Sequence, residues 1–291
     1  MQPEFALMWG EALAIVTALT WASATVLSAE ALKKVDPVRS NAVKSFFSAA
    51  LMLPIAFAAG EMSNLSEVSI PSLLLVIVAA VIGFGIGDTL LFQSITIVGV
   101  SRAYTITYTY PLLTMISAVV FLGEPLHSTT LVGTALMVLS VVSLLSEKDD
   151  SHGKSSSKGL LMAFGTAITW AIGILLVALG LRELTALQAN ALRYPVLSLF
   201  LLIISKPTRK WNLDRKSLLL LFASGALGMV LGGIVFLLSM NLIGASRATP
   251  LSASSPVWAS IMSSLFLKEK VTPRLLISSA LVVAGTFFIT L

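Results

Sequence analysis

Asp88 is an acid where acids are rare. It stands in "GFGIGDTLLFQS", inside an apolar run of the chain. An ionisable group at bilayer depth costs about 2.5–3.5 kcal/mol on insertion scales, so it is found there when it is paired or used. Gly85, Gly87, Thr89 and Gln93 around it imply close helix contact and local polarity. Asp88 is therefore either a buried structural partner or a carrier of protons, with Glu11 as the next acid to consider. Two cations also lie inside apolar runs: Lys44, three residues after Asn41, and Arg193, three after Asn190. Such cations either snorkel to the surface or face a cavity, where they favour carboxylate or phosphate ligands.

Two hydroxyl-rich stretches precede prolines. Tyr104, Thr105, Thr107, Tyr108, Thr109 and Tyr110 lead to Pro111; Thr249, Ser252, Ser254 and Ser255 lead to Pro256. Proline removes one backbone hydrogen bond and frees a carbonyl, so Pro111 and Pro256 are expected helix kinks beside a polar cavity. Tyr104, Tyr108 and Pro111 share one helical face. Trp21 and Trp170 fall in mid-run, where an indole N–H needs a partner or the ring needs a ligand to stack on. The candidate substrate-binding residues are thus Trp21, Asn41, Tyr104, Tyr108, Trp170, Asn190, Ser252 and Ser255. Asp88, Lys44 and Arg193 are the candidate coupling or ion-pair residues. There are no cysteines, and the two histidines, His127 and His152, are far apart in sequence. Thiol catalysis and a Cys or His metal site are excluded, and no cofactor is expected.

These residues need a membrane scaffold. Charged residues make up 11% of the chain and hydrophobic ones 56%, with a mean hydropathy of +0.94. Soluble proteins carry about 25% charged residues. A bilayer core needs about 20 apolar residues per helix. Ten such runs are present, at 10–32, 37–59, 71–95, 99–122, 129–146, 158–180, 186–205, 216–238, 245–267 and 272–291. The first is expected to be a retained span rather than a cleaved signal. A pI near 9.6 does not indicate nucleic acid, because the basic residues form short clusters between the runs and no stripe. All Lys and Arg residues except Arg182, Arg193 and Arg247 lie in or beside segments that follow odd-numbered spans. The positive-inside rule places those segments in the cytoplasm and both termini outside.

The two halves repeat. "TALTW" at Thr17–Trp21 returns as "TAITW" at Thr166–Trp170, and Asn41 and Lys44 align with Asn190 and Arg193 at the same offset. Further on, Gly83, Gly87 and Arg102 align with Gly228, Gly232 and Arg247, and "FLGE" ending at Glu124 aligns with "FLKE" ending at Glu269. Asp88 aligns with Gly233. Each half has an odd number of spans, so the second is inverted relative to the first, as in secondary transporters. The expected organisation is a first repeat at 1–146, a polar Ser-rich linker at 147–157 and a second repeat at 158–291. The Gly-xxx-Gly pairs give the third and eighth spans faces for close helix approach. Arg102 and Arg247 are expected as helix-end anchors or as symmetric gate residues. Glu124 and Glu269 are expected to help satisfy the N-termini of the spans that follow them, near Ser128 and Thr272.

With its duplicated five-span unit, its paired Trp21 and Trp170, its "GFGIGDTLLFQSITIVGVSRA" run and its Pro111–Glu124 stretch, the chain resembles the drug/metabolite transporter superfamily, in particular its EamA-type ten-helix exporters. The resemblance covers nearly the whole chain. It implies an all-α integral membrane protein of ten transmembrane helices in two inverted five-helix repeats, and transport without chemistry on the substrate. The function expected is secondary-active export of a small metabolite, an amino acid or a similar partly apolar solute, by alternating access, with protons as candidate coupling ions. The alternative is an exchanger of anionic or phosphorylated metabolites using Lys44 and Arg193. A channel or an intramembrane enzyme is disfavoured: no catalytic cluster is present, and a single chain with inverted repeats does not suit a symmetric pore. The expected partners are a small-molecule substrate and the lipid bilayer of the cell (plasma or inner) membrane, with no nucleic acid. The protein would act as a monomer or a homodimer.

Overall fold

The structure is a computed structural model that describes residues 3–32, 34–98, 100–145, 156–205, 213–266 and 272–291. Gly99, the side chain of Arg102, Glu269 and most of the expected linker lie outside the described residues. Among the described residues, helices occupy each of the ten expected spans, and seven of them are long and apolar enough to cross a membrane. Large apolar side chains face outward all along the bundle. Leu161, Ile203 and Val283 are each at least 70% exposed, which suits a surface solvated by lipid.

The spans begin where capping chemistry is strong. Asp36 accepts from the N–H groups of Val38 and Arg39, Thr185 and Gln188 form a capping box, and Thr272 accepts from the Leu275 N–H. Each cap satisfies donors that a helix start leaves open.

Four spans depart from continuous α-helix, in matched pairs. The third is α-helical over Ile70–Ala80, π-helical over Val81–Gly87 and α-helical again over Asp88–Val98. The eighth repeats this, with π-helix at Gly225–Leu231 between Arg215–Ser224 and Gly232–Ile243. The fourth span is broken between Val100–Thr107 and Tyr110–Ser117, and the ninth between Ala245–Ser252 and Ser255–Phe266. Pro111 and Pro256 are each the second residue of the helix that resumes, where a missing N–H costs nothing. The breaks, at 108–109 and 253–254, lie just ahead of Pro111 and Pro256.

The halves interlock by exchanging partners. The third span packs on the sixth, and the eighth on the first. Ser94 Oγ donates to Gly159 O at 2.8 Å, and its repeat mate Ser239 donates to Gly10 O at 2.7 Å. The closest approach is backbone on backbone. A Cβ built on Gly173 would lie 2.9 Å from Gly83 Cα. The second span packs on the seventh and the fifth on the tenth. In the latter pair a Cβ on Gly133 would meet Gly285 O at 2.7 Å. The contacts between span ends among the described residues, such as Thr185 with Glu61, Arg247 with Glu11 and Lys34 with Asp214, agree with ten crossings. Glu11, Glu61, Glu124, Glu183 and Arg247 gather at the face that holds the termini. Lys34, Glu30, Asp214 and Lys216 gather at the opposite face, where the linker joins the halves.

Candidate functional site

The π-helical turn in the third span ends directly on Asp88. π-Helical turns are uncommon and occur often at functional sites. Gly87 lets the sixth span close on this point: a Cβ there would lie 2.7 Å from Trp170 Cδ1 and 2.8 Å from Thr169 Oγ1. With no side chain in the way, Trp170 Nε1 donates to Asp88 Oδ1 at 3.0 Å. Asn41 Nδ2, from the second span, donates to Asp88 Oδ2 at 3.1 Å. Lys44 lies one turn along from Asn41, near enough for its charge to act on Asp88. Both carboxylate oxygens are therefore held, and the holding groups come from both halves of the chain.

An aromatic wall continues from Trp170. Its ring meets Tyr110 edge-on at 5.3 Å between centroids and Tyr108 at 6.4 Å. Tyr104 and Tyr110 lie 5.8 and 5.9 Å from Tyr108. Tyr108 falls in the break of the fourth span, and its hydroxyl faces Ser255 at the matching break of the ninth. The two breaks thus bring hydroxyls from both halves to the edge of the Asp88 cluster.

The corresponding place in the second half is built differently. Gly232 admits Trp21 just as Gly87 admits Trp170, with a built Cβ 2.9 Å from Trp21 Cδ1. Trp21 Nε1 donates instead to Gly228 O in the π-helical turn, at 3.1 Å, and its ring packs on Phe236 at 5.1 Å. Gly233 stands where the first half has Asp88. A Cβ on it would fall 2.1 Å from Tyr194 Oη, and that hydroxyl donates to Met229 O at 2.5 Å. Ser45 is the repeat mate of Tyr194. Where the first half has Ser45 and Asp88, the second has Tyr194 and Gly233, so the charge is gone and the tyrosine hydroxyl occupies the space that the glycine leaves. Arg193 Nη1 donates to Asn190 Oδ1 at 3.3 Å, and its guanidinium stacks over Phe84 at 5.1 Å.

Of the residues expected at the site, Asn41, Lys44, Asp88, Tyr104, Tyr108, Trp170 and Ser255 come together. Trp21, Asn190 and Arg193 occupy the second-half counterpart. Ser252 is buried and turned to Ala14 O at 3.3 Å. Tyr110, Phe84 and Tyr194 belong to these two clusters as well. Tyr194 has a signal in the sequence, since it follows the aligned Asn-x-x-Arg and faces a serine in the repeat.

The ends of the bundle are tied across the halves. At the terminus face Arg247 pairs with Glu11 at 2.9 Å and also donates to Ile289 O. Glu124 accepts from the N–H groups of Ala245 and Ser246 at 2.8 and 2.9 Å. It thus caps the ninth span in the other half, not the fifth span near Ser128. Gly244 makes this possible: its φ of +77° turns the chain sharply, and its missing side chain admits the carboxylate. The expected role of Glu124 is corrected by this placement. Thr185 Oγ1 donates to Glu61 at 2.9 Å. Glu183 accepts from the N–H and hydroxyl of Ser69 at 2.8 and 3.0 Å, which hold its carboxyl below the usual carboxylate range. At the linker face the repeat mates of that pair, Lys34 and Asp214, form a salt bridge at 2.6 Å. The hydrogen bond from Lys34 holds Asp214 low, and the bond to Asp214 raises Lys34.

A polytopic bundle of two inverted repeats with a buried acid at their junction is an architecture found among membrane transporters. Comparison with known proteins gives the family. The EamA-like transporter family profile matches residues 8–146 and again 157–291. The chain belongs to this family, within the drug/metabolite transporter superfamily. It is 26% identical over 280 residues to an uncharacterized transporter of Archaeoglobus fulgidus, covering 96% of this chain and 94% of the relative. Its fold is similar to that of a protein of solved crystal structure at a TM-score of 0.79 and 19% identity, covering 96% of this chain and 95% of the other.

Proposed function

We propose that the protein exports a small, partly apolar metabolite, such as an amino acid, by alternating access of its two halves, and that Asp88 carries the coupling proton. The observation behind this reading is the grip on Asp88 by Asn41 and Trp170, with Lys44 close by. An ionised carboxylate accepts both hydrogen bonds with charge assistance and attracts Lys44. Protonation removes the charge and weakens every one of these contacts. Hydrogen bonds to charged groups contribute about 1.5–3 kcal/mol, neutral ones about 0.5–1.5. Loading a proton on Asp88 therefore loosens the third span from the sixth, through Trp170, and from the second, through Asn41, by about 1 kcal/mol or more per bond. Those spans meet at Gly83 and Gly173, a smooth contact that tolerates sliding. The aromatic wall and the hydroxyls of Tyr108 and Ser255 offer a partly apolar solute both ring faces and hydrogen bonds.

The Lys and Arg distribution supports a cytoplasmic linker and a location in the cell membrane. The anion-exchange alternative is less favoured at Lys44, because a protein carboxylate already acts on that cation. The test uses inverted vesicles and L-leucine as the probe. Wild type is expected to concentrate it when a pH step is imposed. Asp88→Asn is expected to exchange labelled for unlabelled leucine yet fail to concentrate it. If the Asn variant concentrates leucine as well as wild type does, the coupling role of Asp88 is refuted.

A further inference from the structure

The two halves treat the same framework in opposite ways. In the first, Asn41 Nδ2 donates to a carboxylate that the protein supplies, and Lys44 lies one turn on in the same helix. In the second, the aligned Asn190 and Arg193 keep the amide and the cation, while the acid is replaced by Gly233. Both side chains are deeply buried, with Asn190 at 0% and Arg193 at 7% exposure. Asn190 Nδ2 and Arg193 Nε are buried donors without a hydrogen-bond partner among the described residues. The one hydrogen bond found for the guanidinium goes to the neutral Asn190 Oδ1, and Phe84 covers its face. Tyr194, the hydroxyl nearest the place of the lost acid, is turned away to Met229 O. A buried cation lacking an anion, beside a buried amide N–H lacking an acceptor, is unfavourable by ordinary desolvation. Buried polar groups in native proteins nearly always have a partner, so these two donors call for an acceptor supplied from outside the protein.

We propose that Arg193 and Asn190 receive the carboxylate of the transported solute, so that the substrate is a monocarboxylate-bearing metabolite such as an amino acid. The proposal rests on the export reading above and names the group by which the solute is held. Its template is in the molecule: the repeat mate of this framework already binds a carboxylate. The charge balance points the same way. One guanidinium offsets one negative charge, and two N–H donors suit two carboxylate oxygens. A doubly charged phosphate would need further cations, and the groups in contact, Phe84 and Tyr194, supply none. The framework lies at matching depth to Asp88 but measured from the opposite face. A solute held here by its carboxylate stands between the terminus face and the proton-carrying acid.

The test is binding to the purified full-length protein in detergent. Four probes are used: L-leucine, 4-methylpentanoate (leucine's skeleton without the amine), isopentylamine (without the carboxylate) and inorganic phosphate. L-leucine and 4-methylpentanoate are expected to bind, and isopentylamine and phosphate to bind at least about tenfold more weakly, the worth of a charge-assisted hydrogen bond. Arg193→Gln and Asn190→Ala should each weaken the two carboxylates about tenfold or more. Exposed Arg182→Gln should leave them unchanged. Because the guanidinium lacks an anion, unliganded Arg193→Gln should melt no lower than wild type, which separates loss of binding from loss of folding. Equal binding of isopentylamine and leucine, tighter binding of phosphate, or unchanged carboxylate affinity in Arg193→Gln overturns the proposal. Counterflow of the same probes in vesicles distinguishes the two readings. Transport of isopentylamine but not of carboxylates keeps the exporter and rejects the site. Arg193-dependent binding of 4-methylpentanoate without transport of any probe keeps the site and rejects export.

Discussion

Trp170→Phe removes one N–H and leaves an aromatic ring in the wall. The ring contacts with Tyr110 at 5.3 Å and Tyr108 at 6.4 Å are retained in kind; the 3.0 Å bond to Asp88 Oδ1 is lost. If Asp88 is ionised, that bond is charge-assisted and its removal costs about 1.5–3 kcal/mol; against a neutral acceptor the cost is about 0.5–1.5 kcal/mol. A double-mutant cycle separates these values. Trp170→Phe is measured in the wild-type and Asp88→Asn backgrounds by unfolding titrations in mixed micelles. At about pH 8 the substitution should cost about 1–1.5 kcal/mol more in wild type than in Asp88→Asn, which is the charged part of the bond. On acidification to about pH 5 the excess should shrink as the carboxylate takes up a proton, while the Asn background stays flat. Equal costs in both backgrounds at both pH values would show that Asp88 bears no charge that Trp170 senses. The proton-release account would then fail.

Other expectations follow from close contacts and exposed ends. Gly173→Ala should destabilise the bundle, because its Cβ would press on Gly83 Cα at 2.9 Å; overpacking costs about 1–3 kcal/mol, against a helix-propensity gain of up to about 1 kcal/mol. Gly165→Ala in the same helix meets only Leu90 Cδ1, at 3.3 Å, and should be neutral or stabilising, so equal melting of the two variants would refute the backbone contact. Glu183 has a depressed pKa in the folded protein, so its contact with Ser69 stabilises above the unfolded carboxylate value of about 4.3 and is lost as pH falls through the lower folded value. The melting difference between wild type and Glu183→Gln should be constant near neutrality and close under acid, and a difference that grows under acid would refute the sign. For orientation, a cysteine at Ser155 should resist an impermeant thiol reagent in intact cells and one at Met62 should react; the reverse pattern would invert the assigned topology.

Much of this architecture is legible in the residues. The offsets between Thr17 and Thr166, Gly87 and Gly232, and Arg102 and Arg247 give two inverted five-span units, and Pro111 and Pro256 mark both helix breaks. Asp88, Asn41, Lys44 and Trp170 can each be singled out by type and depth. Alignment of a repeat says which residues are equivalent, however, and not which half they touch. Glu124 illustrates the difference. Its nearest helix start in sequence is at Ser128, yet Gly244 opens a closer one in the other half. Trp21 and Trp170 are equivalent in sequence but differ in partner, because only one faces an acid. The π-helical turns carry no composition signal beyond their glycines. Tyr194 is marked in sequence by the aligned Asn-x-x-Arg before it, but the room that Gly233 leaves for its hydroxyl is evident only in the fold.

The central claim is that the halves open alternately to the two faces. The absence of cysteine from the chain allows a direct measurement. A reporter Ser255→Cys is placed beside Tyr108, and one end of the bundle is joined by a bifunctional thiol reagent. Joining Lys34→Cys to Asp214→Cys holds the linker face shut. Joining Ser69→Cys to Glu183→Cys holds the terminus face shut. With the linker face joined, the reporter should react with an impermeant reagent supplied at the terminus face and not with reagent at the linker face. With the terminus face joined, the pattern should reverse. A reporter that reacts equally in both joined forms, or from both faces at once, would contradict alternating access and indicate a continuous pore or a rigid bundle.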